Sequence, residues 1–283
     1  MEKKTYSKKN QLKYMPTLLQ AVETVVELSK DSKMSEEFLL QASPEIGLLA
    51  ENFQKIQERM KEKGFRNGFA CLFYGGPGTG KTETVYQLAR QTGRSIMVVD
   101  VPSIKSKWVG ESEKNIKALF DRYREQVKRV KVTPILLFNE ADAIIGIRKN
   151  GAESAVDKME NSLQNIILQE METLDGIMIA TTNLQQNLDK AFERRFLYKI
   201  RFDKPTEEAR FHIWHSMIPE LGELDVHTLA SKYDFSGGQI ENIARHYAID
   251  TILHGTSDDV LPMLIRHCDN ERLDENNLRK IGF

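Results

Sequence analysis

Apolar positions follow two patterns along this 283-residue chain. Up to about residue 64 they are spaced as on one helical face: Leu18, Leu19, Val22, Val25 and Val26, then Phe53, Ile56 and Met60. Ser43-Pro44 divides that segment, because the residue before a proline avoids helical geometry. Gly64 to Gly68 reads as a polar, glycine-bounded linker. From Phe69 short apolar runs alternate with amphipathic stretches. The runs predict strands at Phe69–Tyr74, Ile96–Val99, Ile135–Phe138, Ile177–Ala180 and Tyr198–Phe202. Between them helices are predicted at Lys81–Gln91, Glu113–Lys128, Ala155–Thr173 and Leu188–Arg194. Strands alternating with helices imply an α/β fold with a parallel sheet covered on both faces. Beyond Pro205 the strand pattern stops. Glu207–Met217, Val226–Tyr233, Gln239–Leu253 and a piece near Leu261–His267 predict a small all-helical unit. The expected division is 1–64 (helical segment and linker), 65–204 (α/β core) and 205–283 (helical lid).

Composition changes this picture little. Apolar residues are 40% and charged residues 29%, which suits a globular and not a disordered chain. The net charge of −1 provides no bulk attraction to nucleic acid or an anionic membrane. The lysines between Glu2 and Lys13 read as a solvated tail. Cys71 and Cys268 form neither a disulfide framework nor a metal-ligand spacing. No apolar run approaches the length of a membrane span, and no signal-peptide pattern opens the chain, so a reducing, cytoplasmic location is expected.

The candidate chemistry is concentrated in the α/β part. Gly75-Gly76-Pro77-Gly78-Thr79-Gly80-Lys81-Thr82 has the form of a phosphate-binding loop between a strand and a helix. Its glycines let backbone N–H groups converge on phosphates, and the helix that follows adds positive potential. Lys81 would reach the β- and γ-phosphates of ATP, and Thr82 would ligate Mg²⁺. Gly76, Pro77, Gly78, Thr79, Gly80, Lys81, Thr82 and Glu83 form the expected nucleotide-binding set.

Ile135-Leu136-Leu137-Phe138 then delivers Asn139, Glu140 and Asp142 at the end of a strand, where open α/β sheets bind ligands. P-loop enzymes usually place a metal-side Asp there, followed here by Glu140 as the base that activates water. Asn139 stands in the Asp position and supplies a carbonyl oxygen but no charge. Either metal binding is impaired or Asp142 compensates. Thr181-Thr182-Asn183 ends the next strand, where Asn183 could position the attacking water. Arg194 and Arg195 make a local salt bridge on the plain reading, or stabilise transition-state charge in a neighbouring subunit. Trp108 and Val109 lie in Ser106-Lys107-Trp108-Val109-Gly110-Glu111-Ser112-Glu113, where the residues alone favour a packed tryptophan.

Taken in order, these elements resemble the AAA family of ring-forming ATPases over about residues 45 to 253. The Lys107-to-Lys114 stretch is most similar to the katanin and spastin branch. The resemblance implies a five-stranded parallel sheet with a helical lid, assembled as a ring of identical subunits, usually a hexamer. It implies that Trp108 and Val109 form a pore loop gripping a polypeptide, that Arg194 and Arg195 are arginine fingers, and that Asn183 is a sensor. It also places Ile213, Gly237 and Gly238 beside the adenine, and Ile46-Gly47-Leu48 at its entry. Three departures stand out: Asn139, the short segment before Arg194-Arg195, and an N-terminal part matching no adaptor domain. Such ATPases often carry further domains.

The expected function is therefore ATP hydrolysis, slow because of Asn139, that remodels or translocates a protein substrate. Two alternatives stay open: an ATP-gated scaffold with weak hydrolysis, and a nucleic-acid remodeller. The second would want a basic groove or an appended reading domain, and the sequence displays neither.

Overall fold

The computed structural model describes residues 68–101, 112–147, 155–184, 188–255 and 260–272, the strand at 24–26 and scattered positions between 52 and 63. Packing divides the described residues into two units. One holds those up to Tyr74 together with Thr82–Arg201, and the other holds Gly75–Lys81 and the residues from Phe202 onward.

The first unit is built on a sheet. Its strands are β1 (Thr24–Val26), β2 (Phe69–Gly75), β3 (Ile96–Asp100), β4 (Ile135–Asn139), β5 (Ile177–Thr182) and β6 (Tyr198–Phe202), in the spatial order β1-β3-β4-β5-β2-β6. Strands β2 to β6 make the expected five-stranded parallel sheet, and β1 adds an antiparallel edge against β3. Thr24–Val26 is thus a strand where the apolar spacing suggested a helix. Its β-branched residues suit a pleated edge, and the open side of β3 offers hydrogen-bond partners.

Register decides what the sheet presents. Ile135 lies opposite both Ile96 and Ile177, and Phe69 opposite Ile177, so the strands start level. They consequently finish level, with Asn139 opposite Asp100, Phe138 opposite Ala180 and Tyr74 opposite Thr182. The polar residues that close each apolar run are delivered together at one edge of the sheet.

The crossover helices follow the expected stripes. These are α1 (Lys81–Gln91), α2 (Ser112–Arg129), α3 (Asp142–Ile145), α4 (Ala155–Glu172) and α5 (Lys190–Glu193). Ile116, Leu119, Phe120 and Tyr123 on α2 pack with Leu163, Ile167 and Met171 of α4 in one core that includes Leu136 and Phe138 of β4. Each such side chain, fully buried, contributes about 1.5–3 kcal/mol. Tyr123 anchors α2 to the sheet, its hydroxyl lying 2.8 Å from the Pro134 carbonyl and accepting from the Ile177 N–H at 2.7 Å. Burial raises the pKa of that hydroxyl and keeps it neutral. Outside the core, Arg124 pairs with Glu170 at 2.6 Å and ties α2 to α4.

The helix expected over Leu188–Arg194 is shorter. Leu188 bridges to Gly146, the Asp189 carboxylate caps Ala191 N at 2.7 Å, and only Lys190–Glu193 is helical.

The second unit contains α6 (Glu207–Met217), α7 (Glu223–Lys232), α8 (Gly237–His254) and α9 (Val260–Glu271), packed around Ile213, Trp214, Leu229, Tyr233, Phe235 and Ile240. Thr206 and Ser236 cap α6 and α8, Ser236 in a reciprocal box with Gln239. Buried Arg210 holds the α7–α8 turn through Ala230 O at 2.9 Å and Asp234 Oδ1 at 2.9 Å. Among the described residues no helix is long and apolar enough to cross a membrane.

Candidate nucleotide site

The loop Gly75–Lys81 has the geometry that phosphate binding demands. Gly78 and Gly80 hold φ of 70° and 89°, a region that only glycine enters without cost. Alternating backbone signs of this kind turn successive N–H groups to one side, and α1 begins at Lys81. Gly78 is needed for space as well. A Cβ there would lie 2.8 Å from Ser236 Oγ, and the Gly78 carbonyl accepts from Gly238 N at 3.0 Å. At Gly80 a Cβ would meet nothing within 4 Å, so φ alone selects glycine there. Buried Lys81 folds over its own loop, Nζ donating to Gly76 O at 2.6 Å and Gly75 O at 3.1 Å. Thr79 closes the turn onto Gly76 O at 2.8 Å.

At the ends of β4 and β5 a second set converges in the first unit. Thr82 Oγ1 donates to Asn139 Oδ1 at 2.7 Å, and Thr181 Oγ1 donates to the same oxygen at 3.0 Å. Thr181 Oγ1 in turn accepts from the Glu140 N–H at 3.1 Å, while its carbonyl accepts from Ala141 N at 2.8 Å. Glu140 sits at φ 51°, the single non-glycine residue with positive φ among the described residues. That conformation costs about 1–2 kcal/mol, and the two Thr181 contacts on either side offset it. The Glu140 side chain itself is exposed. Asp142 is engaged elsewhere: its Oδ1 accepts from the Thr182 hydroxyl and from Asn183 N at 2.9 Å. Its role is to pin the end of β5, which argues against its replacing the charge missing at Asn139.

A magnesium ion fits these residues in one respect. Oxygens on adjacent corners of its octahedron lie about 2.9 Å apart, given Mg–O distances of about 2.0–2.1 Å. The 2.7 Å between Thr82 Oγ1 and Asn139 Oδ1 is close to that edge. Both groups are neutral, however, and among the described residues no cluster of His, Cys, Asp or Glu could hold a metal unaided. Negative charge for the cation would have to come from bound phosphates.

The remaining expected residues fall as follows. Glu83 lies in the first turn of α1 and accepts from Gln87 at 3.3 Å. Asn183 is exposed directly beyond β5. Arg194 is exposed with no ion-pair partner among the described residues, whereas Arg195 pairs with Glu172 and donates to Ala191 O at 2.9 Å. The two arginines are therefore unlike. Gly237 and Gly238 open α8, and Ile213 is buried in the core of its own unit. Trp108, Val109 and Ile46-Gly47-Leu48 lie outside the described residues.

Three contributors escape a linear reading: Thr181, Glu172 and Ser236. The Ala180-Thr181-Thr182-Asn183 run drew attention to Asn183, but only the β4–β5 register puts the Thr181 hydroxyl against Asn139.

Comparison with known proteins agrees with this geometry. Residues 71–204 match the family described as ATPase family associated with various cellular activities (AAA). The chain is 29% identical over 220 residues to ATPase family gene 2 protein homolog B of Bos taurus, covering 73% of this chain and 26% of that protein. It is 31% identical over 211 residues to Protein SAV of Sulfolobus acidocaldarius, covering 70% and 26%. To Fidgetin-like protein 1 of Drosophila melanogaster it is 29% identical over 203 residues, covering 69% and 38%. The chain thus spans between about a quarter and two fifths of these relatives' lengths. With the glycine loop, the level strand ends and this match in agreement, residues 71–204 form an ATPase domain of the AAA family.

Proposed function

We propose that this chain hydrolyses ATP and uses the cycle to remodel or translocate a protein substrate through a ring of identical subunits. The observation that carries the reading is the hydrogen-bonded run from Thr82 through Asn139 and Thr181 to Glu140, which ties α1 to the ends of β4 and β5. Lys81 and the loop N–H groups would hold the phosphates of ATP. Thr82 and Asn139 would face Mg²⁺, which when bound neutralises charge developing on the phosphates. Glu140, exposed at the strand end, would take the proton from the attacking water, and Asn183 beyond β5 would orient that water. Arg194, exposed and unpaired among the described residues, suits a role in a neighbour's site better than Arg195. Ile213, Gly237 and Gly238 remain the adenine-side residues by likeness to the family, and Trp108 and Val109 the pore loop.

One observation favours a second reading, an ATP-gated scaffold with weak hydrolysis. Asn139 brings no charge, and Asp142 is committed to Thr182 and Asn183. Steady-state ATPase of the wild type beside Glu140→Gln separates the two. Turnover that Glu140→Gln removes supports the enzyme. Nucleotide binding with equal, negligible turnover in both supports the scaffold.

A further inference from the structure

Asn139 raises a problem that an aspartate in its place would not have. A carboxylate presents equivalent oxygens, but an amide has one face that attracts a cation and one that repels it. Something must choose which face meets Thr82. The structure assigns that choice to Thr181. Its side chain is buried, with the whole residue only 1% exposed, so its hydroxyl proton needs an acceptor within the protein. The hydroxyl oxygen already accepts from the Glu140 N–H at 3.1 Å. Its proton therefore goes to the remaining polar neighbour, Asn139 Oδ1 at 3.0 Å. That bond keeps the carbonyl oxygen inward, where it also accepts from Thr82 Oγ1 at 2.7 Å. Were the amide reversed, an NH₂ group would confront the Thr181 hydroxyl and stand where a cation is to bind.

We propose that Thr181 is a positioning residue that orients the Asn139 amide, so that a neutral side chain can serve on the metal side of the site. The proposal rests on the reading of Thr82 and Asn139 as the Mg²⁺-facing pair. The buried hydroxyl proton is what makes the device directional. With the Glu140 N–H on one lone pair of the oxygen, a reversed amide could still donate to the other, but the proton would lose its acceptor at Asn139 Oδ1. A carboxylate at residue 139 would accept from both hydroxyls whichever way it turned. Dependence on Thr181 should accordingly disappear when residue 139 is an aspartate.

That coupling is the test. Equilibrium binding of a fluorescent ATP analogue is measured with Mg²⁺ and with EDTA, for the wild type, Thr181→Val, Asn139→Asp and the double variant, with turnover recorded alongside. Thr181→Val should cut the Mg²⁺ enhancement of binding about 10-fold or more, the usual effect of losing a group that orients a metal ligand. In the Asn139→Asp background the same substitution should change it less than about 2-fold. Should Thr181→Val not fold, Thr181→Ser against Thr181→Ala isolates the hydroxyl: the serine keeps the enhancement and the alanine loses it. An enhancement unmoved by removing the hydroxyl, or a loss of equal size in both backgrounds, would overturn the proposal. Wild-type protein that binds the analogue with Mg²⁺ but does not turn over would sink hydrolysis and leave this test intact.

Discussion

At the scale of single residues, the loop lysine and the strand-end amide carry the clearest expectations. Lys81 Nζ donates to two carbonyls of its own loop, Gly75 O and Gly76 O. Lys81→Ala should abolish binding of a fluorescent ATP analogue while the circular dichroism spectrum is retained, and unchanged affinity in the folded variant would remove the loop from the site. Asn139→Asp keeps both hydroxyl partners and adds the missing charge, so turnover at saturating ATP should rise about 10-fold or more. The same rate and the same Mg²⁺ dependence in both proteins would count against an impaired metal side. The cysteines give a pH prediction. Burial pushes both the Cys71 and the Cys268 thiol up to about 12 from 9.0. Between those values an unfolded chain releases protons that the folded chain keeps, so stability should fall as pH rises from about 9 to about 12. At pH 8 neither thiol should react with a disulfide reagent until denaturant is added. Fast labelling of the native protein would contradict the burial.

At the scale of elements, ends and registers matter more than interiors. The interiors of α2, α4 and the strands follow from apolar spacing, and their expected ranges agree with the structure to within a few residues. The ends depended on partners. Helix α8 starts at Gly237 because Ser236 and Gln239 cap each other, and α5 shrinks because Leu188 bridges to Gly146. Ser236→Ala removes one capping bond, and its loss should cost about 0.5–2 kcal/mol in the helical unit. Hydrogen exchange in the first turn of α8 should quicken accordingly, and unaltered protection there would mean the cap contributes nothing. Strand β1 illustrates the converse. Val25 and Val26 suit a helical stripe and a β edge equally, and only the free side of β3 decides between them.

At the scale of the whole molecule, the unequal arginines lead to a test of assembly. Arg195 is occupied by Glu172, whereas Arg194 is exposed and unpaired among the described residues. If sites are composite, Arg194→Ala should lower turnover by about 10³-fold or more, the scale of an arginine supplied in trans. Arg195→Ala should instead act mainly on stability, by about 1 kcal/mol or less for a part-exposed pair. Mixing Lys81→Ala with Arg194→Ala subunits should restore activity, since some interfaces would join an intact loop to an intact arginine. Wild-type specific activity should rise with protein concentration. No rescue, with specific activity independent of concentration, would restrict both arginines to their own chain.

Local chemistry determined much of this protein without help from the tertiary structure. The glycine loop declares itself because phosphate binding requires particular backbone angles, and those angles require glycine at fixed spacing. The alternation of strands and helices declares the parallel sheet because each element must bury an apolar face. Side-chain partnerships between distant segments were beyond that reach. That Thr181 meets Asn139, that Asp142 serves β5, and that Glu172 takes Arg195 but leaves Arg194 are consequences of register and packing. A sequence displays which groups can donate and accept, but a hydrogen bond also needs about 3 Å and the right direction. Only the folded chain, with its strand ends level, brings residues some forty positions apart to that distance.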